Sequence, residues 1–130
     1  MSARRLTATL GRTGYATVMS ARSHTLVADE PLDIGGTDVA ATPYELLMAS
    51  VASCTAITLR MYAERKDWPL EGVDVEMVMG EGRLPAMTRR LVIRGPLDDA
   101  QIARLHEIAD ACPVSKMVKA GVTITPAEDA

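Results

Sequence analysis

Residues 42–66 read Thr-Pro-Tyr-Glu-Leu-Leu-Met-Ala-Ser-Val-Ala-Ser-Cys-Thr-Ala-Ile-Thr-Leu-Arg-Met-Tyr-Ala-Glu-Arg-Lys, and their reading decides the fold. Thr42 is a good N-cap, Pro43 suits the first helical position, where its missing N–H costs nothing, and Glu45 three residues past the cap completes a capping box. From Leu46 no Gly or Pro occurs until Pro69, and the interior is mostly Leu, Met, Ala and Ile. The segment therefore predicts a helix of about six turns. Beyond Glu45, charge gathers only toward its end, in Arg60, Glu64, Arg65 and Lys66, where cations favour a helix C-terminus. The first four turns are apolar or small almost all round, the pattern of a helix covered on several sides. Cys54, at the middle, is accordingly expected to be mostly buried.

On the N-terminal side, residues 6–10 and 15–19 alternate polar and apolar around Gly11-Arg12-Thr13-Gly14, which predicts a hairpin with Arg12 at its tip. A third extended piece, 24–28, leads through Asp29-Glu30-Pro31 and Gly35-Gly36-Thr37-Asp38, read as turn and loop. On the C-terminal side, 73–79 and 87–94 read as two strands about a turn at 80–85. Asp98 caps an amphipathic helix with Ile102, Leu105, Ile108 and Ala109 on one face, and Pro113 opens a short helix through Lys119. Residues 121–125 are expected to close the chain as a strand, with 127–130 a frayed end. Strands, helix, strands, helices and strand in that order indicate an α+β fold.

At 130 residues the chain is expected to be a single domain, residues 1–130, with a core of its own. With no Phe and one Trp, that core is built from Leu, Ile, Val, Met and Ala. A net charge of -3, with no Lys/Arg run, offers no field for nucleic acid. The N-terminus lacks the apolar run of a signal peptide and polar residues interrupt every apolar stretch, so a cytoplasmic protein away from membranes is expected. In that compartment the two cysteines, Cys54 and Cys112, are normally reduced.

The two cysteines form no local motif, and buried free cysteines are commonly just small hydrophobes. Cys112, however, immediately precedes Pro113-Val114-Ser115-Lys116 and so stands as the N-cap of a short helix, where N–H groups and Lys116 favour a thiolate. Burial in mid-helix works against a Cys54 thiolate, which needs a cation or donor from elsewhere in the fold. On local grounds Cys112 is the more acidic thiol. His24 and His106 do not stand at metal-ligand spacing. The eight Met residues serve as core filler or as the lining of an apolar pocket.

Thr42-Pro43-Tyr44-Glu45-Leu46-Leu47 with Ala52-Ser53-Cys54-Thr55, and Ala111-Cys112-Pro113-Val114-Ser115-Lys116, resemble the two cysteine motifs of the OsmC and Ohr (organic hydroperoxide resistance) proteins. His24, Asp29-Glu30-Pro31 and Gly35-Gly36 resemble the OsmC-like branch, and the resemblance covers roughly the whole chain. It implies an intertwined homodimer and thiol-dependent reduction of organic hydroperoxides. Cys54 would attack the peroxide and become a sulfenic acid, and Cys112 would resolve it to a disulfide. An external dithiol, lipoyl-linked in the Ohr branch, would then reduce that bond, and no metal or haem takes part. Arg12 matches the family's glycine-flanked activating arginine, with Arg22 as the substitute. Glu45 is the candidate for the acid that holds the arginine. Ohr proteins carry that Glu directly after the helix-opening Pro, where this chain has Tyr44, and Glu45 is equally explained as the capping-box residue. The alternative to a peroxidase is a dimeric OsmC-like binding or redox module with little catalytic activity.

Overall fold

The structure is a computed structural model that describes residues 3–127; of the expected frayed end, residues 128–130 lie outside the described part. The chain forms two compact units that meet in sequence at Leu47 and Met48. Its order is β1 (Thr7–Leu10), β2 (Thr17–Ala21), β3 (His24–Ala28), a 3₁₀ turn (Leu32–Ile34), α1 (Pro43–Lys66), β4 (Gly72–Met79), β5 (Met87–Arg94), α2 (Asp99–Asp110) and α3 (Pro113–Ala120). This is the expected α+β order up to the last element.

The first unit is an antiparallel meander in which Leu10 pairs with Thr17, and Ala21 with His24. Arg12 stands in the exposed turn between β1 and β2. Arg22 turns β2 into β3 with φ 55, a left-handed conformation uncommon for a side chain of its size. The loop after β3 is organised by Asp29, which is 2% exposed and does more than make a turn. Its carboxylate accepts from the Glu30 N–H (2.8 Å), the Thr37 hydroxyl (2.8 Å), the Thr37 N–H (3.2 Å) and the Val39 N–H (3.2 Å). Gly36 passes so close that an added Cβ would lie 1.9 Å from the Glu30 carbonyl oxygen, so only glycine fits there.

The hydrogen bonds to Asp29, led by the Glu30 N–H and then the Thr37 hydroxyl, outweigh its burial and lower its pKa from the ordinary carboxylate value. A depressed carboxylate pKa stabilises the fold above the unfolded value of about 4, and that contribution is lost as pH falls through the folded value. Asp29→Ala is therefore expected to melt several degrees below wild type at pH 7, with the gap closing as the buffer is acidified below about pH 4. Thermal melts of both proteins across this range check it; a gap unchanged down to about pH 3 would mean that the charge is not what these donors hold.

The second unit packs one face of α1 on β4, β5 and α2. Leu59, Tyr62 and Ala63 of α1 cluster with Leu70 and with Leu105 and Ala109 of α2, and Trp68, Val73, Leu91, Ile93, Leu97 and Ile108 close around them. Tyr62 meets Trp68 edge to face at 5.5 Å and accepts a hydrogen bond from Arg104 Nε at 3.0 Å. β4 and β5 alternate as their period of two requires. Asp74 and Glu76 pair on the exposed face with Arg94 and Arg90, while Val73, Val75, Leu91 and Ile93 are half-buried. At Gly95, φ 138, an added Cβ would stand 2.3 Å from the Pro69 carbonyl oxygen. α2 begins with a full capping box between Asp98 and Gln101.

Two expectations need correction. Residues 121–127 form no strand. A strand exists through hydrogen bonds to a neighbour, and the sheet of this unit consists of β4 and β5 alone among the described residues. Val122 and Ile124 are accordingly exposed. α1 is also covered less completely than its composition suggested: Val51, Thr55, Leu59, Tyr62 and Ala63 form a buried stripe, whereas Leu47, Ile57 and Met61 are exposed. By length and composition α1 is apolar enough to cross a membrane, although polar residues interrupt its runs. Of its buried stripe, Leu59, Tyr62 and Ala63 belong to the core cluster just described.

Candidate functional site

The site grows from the middle of α1 and the start of α3. Cys54 is half-buried on the side of α1 next to the exposed stripe, its Sγ 4.0 Å from Thr58 Oγ1. It opens into an apolar groove of about 440 Å³ lined with Ile57, Met61, Pro113 and Val114. Cys112 is the N-cap of α3, with Pro113 in its first turn, and has no exposed surface. The fold therefore brings together two residues that the sequence leaves far apart. Both are free thiols, and Cys54 lies near enough to Cys112 to contribute to lowering its pKa.

Cys112 Sγ lies 2.7 Å from Ser115 Oγ and 3.5 Å from Thr55 Oγ1. Burial by itself would raise the Cys112 pKa, but hydrogen bonds, led by that to the Ser115 hydroxyl and including one from the Ser115 N–H, lower it from the ordinary thiol value. The lowered Cys112 pKa has the direction expected from the sequence, with the Ser115 hydroxyl as its leading support and the Ser115 N–H of the helix start beside it. Lys116 is exposed.

Behind the hydroxyls stands a residue that the sequence reading passed over. Arg89 of β5 donates from Nη1 to Thr55 Oγ1 (3.1 Å) and to Ser115 Oγ (2.9 Å), and from Nη2 to Asp110 Oδ1 (2.7 Å). The signal was present: period two on β5 puts residue 89 on the same face as Leu91 and Ile93, and an inward-facing arginine on such a strand needs a partner. Arg89 also lines a second cavity of about 460 Å³ with Met77, Met87, Asp110 and Ser115.

The other candidates are placed differently. Glu45 accepts the Thr42 N–H at 2.9 Å while its own N–H is bound by the Thr42 hydroxyl at 3.2 Å, so its capping role is realised. Arg12 and Arg22 stand on turns of the first unit. Arg60 donates to the Leu70 carbonyl at 2.7 Å and points away from Cys54. His24 and His106 are exposed, and no cluster of three or more His, Cys, Asp and Glu able to hold a metal occurs among the described residues.

These elements define an α+β protein whose two thiols meet where a core helix crosses the start of a short one. The chain belongs to the OsmC-like protein family, whose model matches residues 35–127. No curated protein sequence matches it. Among solved structures it is similar to an osmotic stress induced and detoxification response protein of Psychrobacter arcticus, with 24% identity, a TM-score of 0.72, and 89% and 87% of the two chains covered. It is also similar to a Vibrio cholerae protein named for organic hydroperoxide resistance, with captopril bound in one of its active sites (25% identity, TM-score 0.67, 92% and 85% covered). An organic hydroperoxide resistance protein of Elizabethkingia anophelis matches with 21% identity, a TM-score of 0.69, and 92% and 89% covered.

Proposed function

We propose that the protein is a cytoplasmic, homodimeric thiol peroxidase that reduces organic hydroperoxides to alcohols. The observation that carries this reading is the pairing of an accessible thiol, Cys54, with a buried and acidified one, Cys112. A peroxide reaches the first from the apolar groove and meets the second only after the first has reacted. The groove suits an alkyl or aryl hydroperoxide, since Ile57, Met61, Pro113 and Val114 offer it apolar contact while Ser50, Ser53 and Thr58 offer hydroxyls to its polar end.

In the first step the Cys54 sulfur, as thiolate, attacks the distal peroxide oxygen. The O–O bond breaks, and the departing alkoxide takes the proton Cys54 gave up, leaving Cys54 sulfenic acid and an alcohol. In the second step the Cys112 thiolate attacks the sulfenic sulfur. The S–S bond forms and hydroxide leaves as water with the proton Cys112 had released. An external dithiol, lipoyl-linked or similar, returns the disulfide to two thiols. No metal or haem enters these steps. Arg12 and Glu45 are the proposed activating pair by motif. The family's names for related proteins and the paired thiols support the reading. Exposed Ile57 and Met61 of α1, on the wall of the groove, support a second copy as partner.

The capping role of Glu45 favours a second reading, a dimeric OsmC-like module with little peroxidase activity. Thiol titration separates the two. The reduced protein, collected as the species of twice the chain mass in light scattering, is expected to lose two thiols per molecule of substoichiometric cumene hydroperoxide. Thiols that stay reduced would sink the peroxidase and favour the module, and a species of single chain mass would sink the dimer.

A further inference from the structure

Neither step above uses Arg89, yet its position is that of a group built into the thiol chemistry. A guanidinium can only donate, and both hydrogens of Arg89 Nη1 are given to hydroxyl oxygens, Thr55 at 3.1 Å and Ser115 at 2.9 Å. Each hydroxyl has one proton of its own left to give. Thr55 gives its proton to the Val51 carbonyl at 2.7 Å. Ser115, whose oxygen already accepts from Arg89, has its proton directed to Cys112 Sγ at 2.7 Å. The chain runs one way, from the cation through the Ser115 hydroxyl to the sulfur.

We propose that Arg89 is a positioning residue for the thiol pair: through Ser115 it holds Cys112 in the charged form that attacks the Cys54 sulfenic acid. The proposal rests on the cysteine-redox reading above. Cys112 is fully buried, and a buried anion without a compensating cation or donor is costly. Arg89 supplies that cation with 14% of its side chain exposed, whereas its counter-ion Asp110 is 73% exposed and largely solvated. Water screens the carboxylate more than the guanidinium, so a net positive field remains at the sulfur. The charged or titratable groups around Cys112 are Cys54 on α1, Arg89 on β5, Asp110 on α2, and the exposed Lys116 and Lys119 on α3.

The test is the ultraviolet thiolate absorbance of Cys112 as a function of pH in a Cys54→Ser background, where one thiol remains and serine keeps a hydroxyl donor beside it. Arg89→Met is expected to raise the titration midpoint by about one pH unit, a tenfold loss of thiolate on its acid side. Arg89→Lys is expected to recover part of the shift. Asp110→Asn, which removes the opposing charge, is expected to leave the midpoint in place or lower it, whereas a purely structural role for the ion pair would make both losses shift it upward together. A folded Arg89→Met that titrates like its parent, or an Asp110→Asn that shifts upward as far as Arg89→Met, overturns the proposal. Should Arg89→Met not fold, Ser115→Ala breaks the same chain with the cation in place; an upward shift supports the proposal and an unchanged midpoint overturns it. No peroxide is present, so an inactive protein that shows the Arg89-dependent titration refutes the peroxidase reading alone.

Discussion

Cys54→Ser is expected to abolish consumption of an organic hydroperoxide by the reduced protein, a loss of about a thousandfold or more because a serine hydroxyl cannot replace the attacking sulfur. Cys112→Ser is expected to complete one turnover and stop, with Cys54 sulfenic acid trapped by a dimedone-type reagent and seen by mass spectrometry. Two physical criteria point in opposite directions here. Acidity favours Cys112 as the attacking group, since its hydrogen bonds lower its pKa in spite of burial. Access favours Cys54, which is half-buried and lines the groove, while Cys112 has no exposed surface at all. Access decides, because a thiolate that cannot touch the peroxide has no rate, and an acidic buried thiol is well suited to resolving a sulfenic acid beside it. The reciprocal pattern, with turnover surviving in Cys54→Ser and lost in Cys112→Ser, would reverse the two roles.

The largest expected effect on stability is at Leu105→Ala. Leu105 is fully buried between Leu59, Tyr62 and Ala109, where α1 and α2 meet. Truncation removes the transfer free energy of the lost methyl and methylene groups and leaves a cavity in a rigid setting, at a cost of about 2–5 kcal/mol. Against a total of about 5–15 kcal/mol for an ordinary domain, that is a large share. For a chain of this length the melting temperature should fall by about 10 °C or more, measured by circular dichroism. A fall of less than about 2 °C would show that the helices close over the gap, contrary to the tight core described above.

The loss at Leu105 and the loss at Cys54 should be separable. Leu105→Ala touches none of the groups bonded to Cys112, so at temperatures where it is folded its thiols should still be lost two per peroxide. A fall in that stoichiometry in a folded Leu105→Ala would mean that the α1–α2 packing also sets the geometry of the thiol pair.

Most of the elements were legible in the sequence because their signals are local. Thr42 and Glu45, and Asp98 and Gln101, mark helix starts by reciprocal bonds between residues three apart. β4 and β5 follow from strict alternation, and the two cysteine motifs with their flanking helix signals mark where a site should lie. Local signals failed where a structure depends on distant partners. Residues 121–125 have strand composition but no strand beside them among the described residues, and α1 is uniformly apolar although only one stripe of it is covered by this chain.

The sequence by itself determined the α+β order, the capped helix with Cys54 at its centre, Cys112 as the N-cap of a short helix, and membership of a cysteine family. Only the tertiary structure decided that the two thiols are neighbours, that Cys54 is the more accessible one, and that Arg89 stands behind Cys112. The physical reason is the range of the interactions. Capping and periodicity are written within a few residues, whereas Arg89 reaches its place through contacts to α1, α2 and α3 at once, and no spacing along the chain records a meeting of four elements.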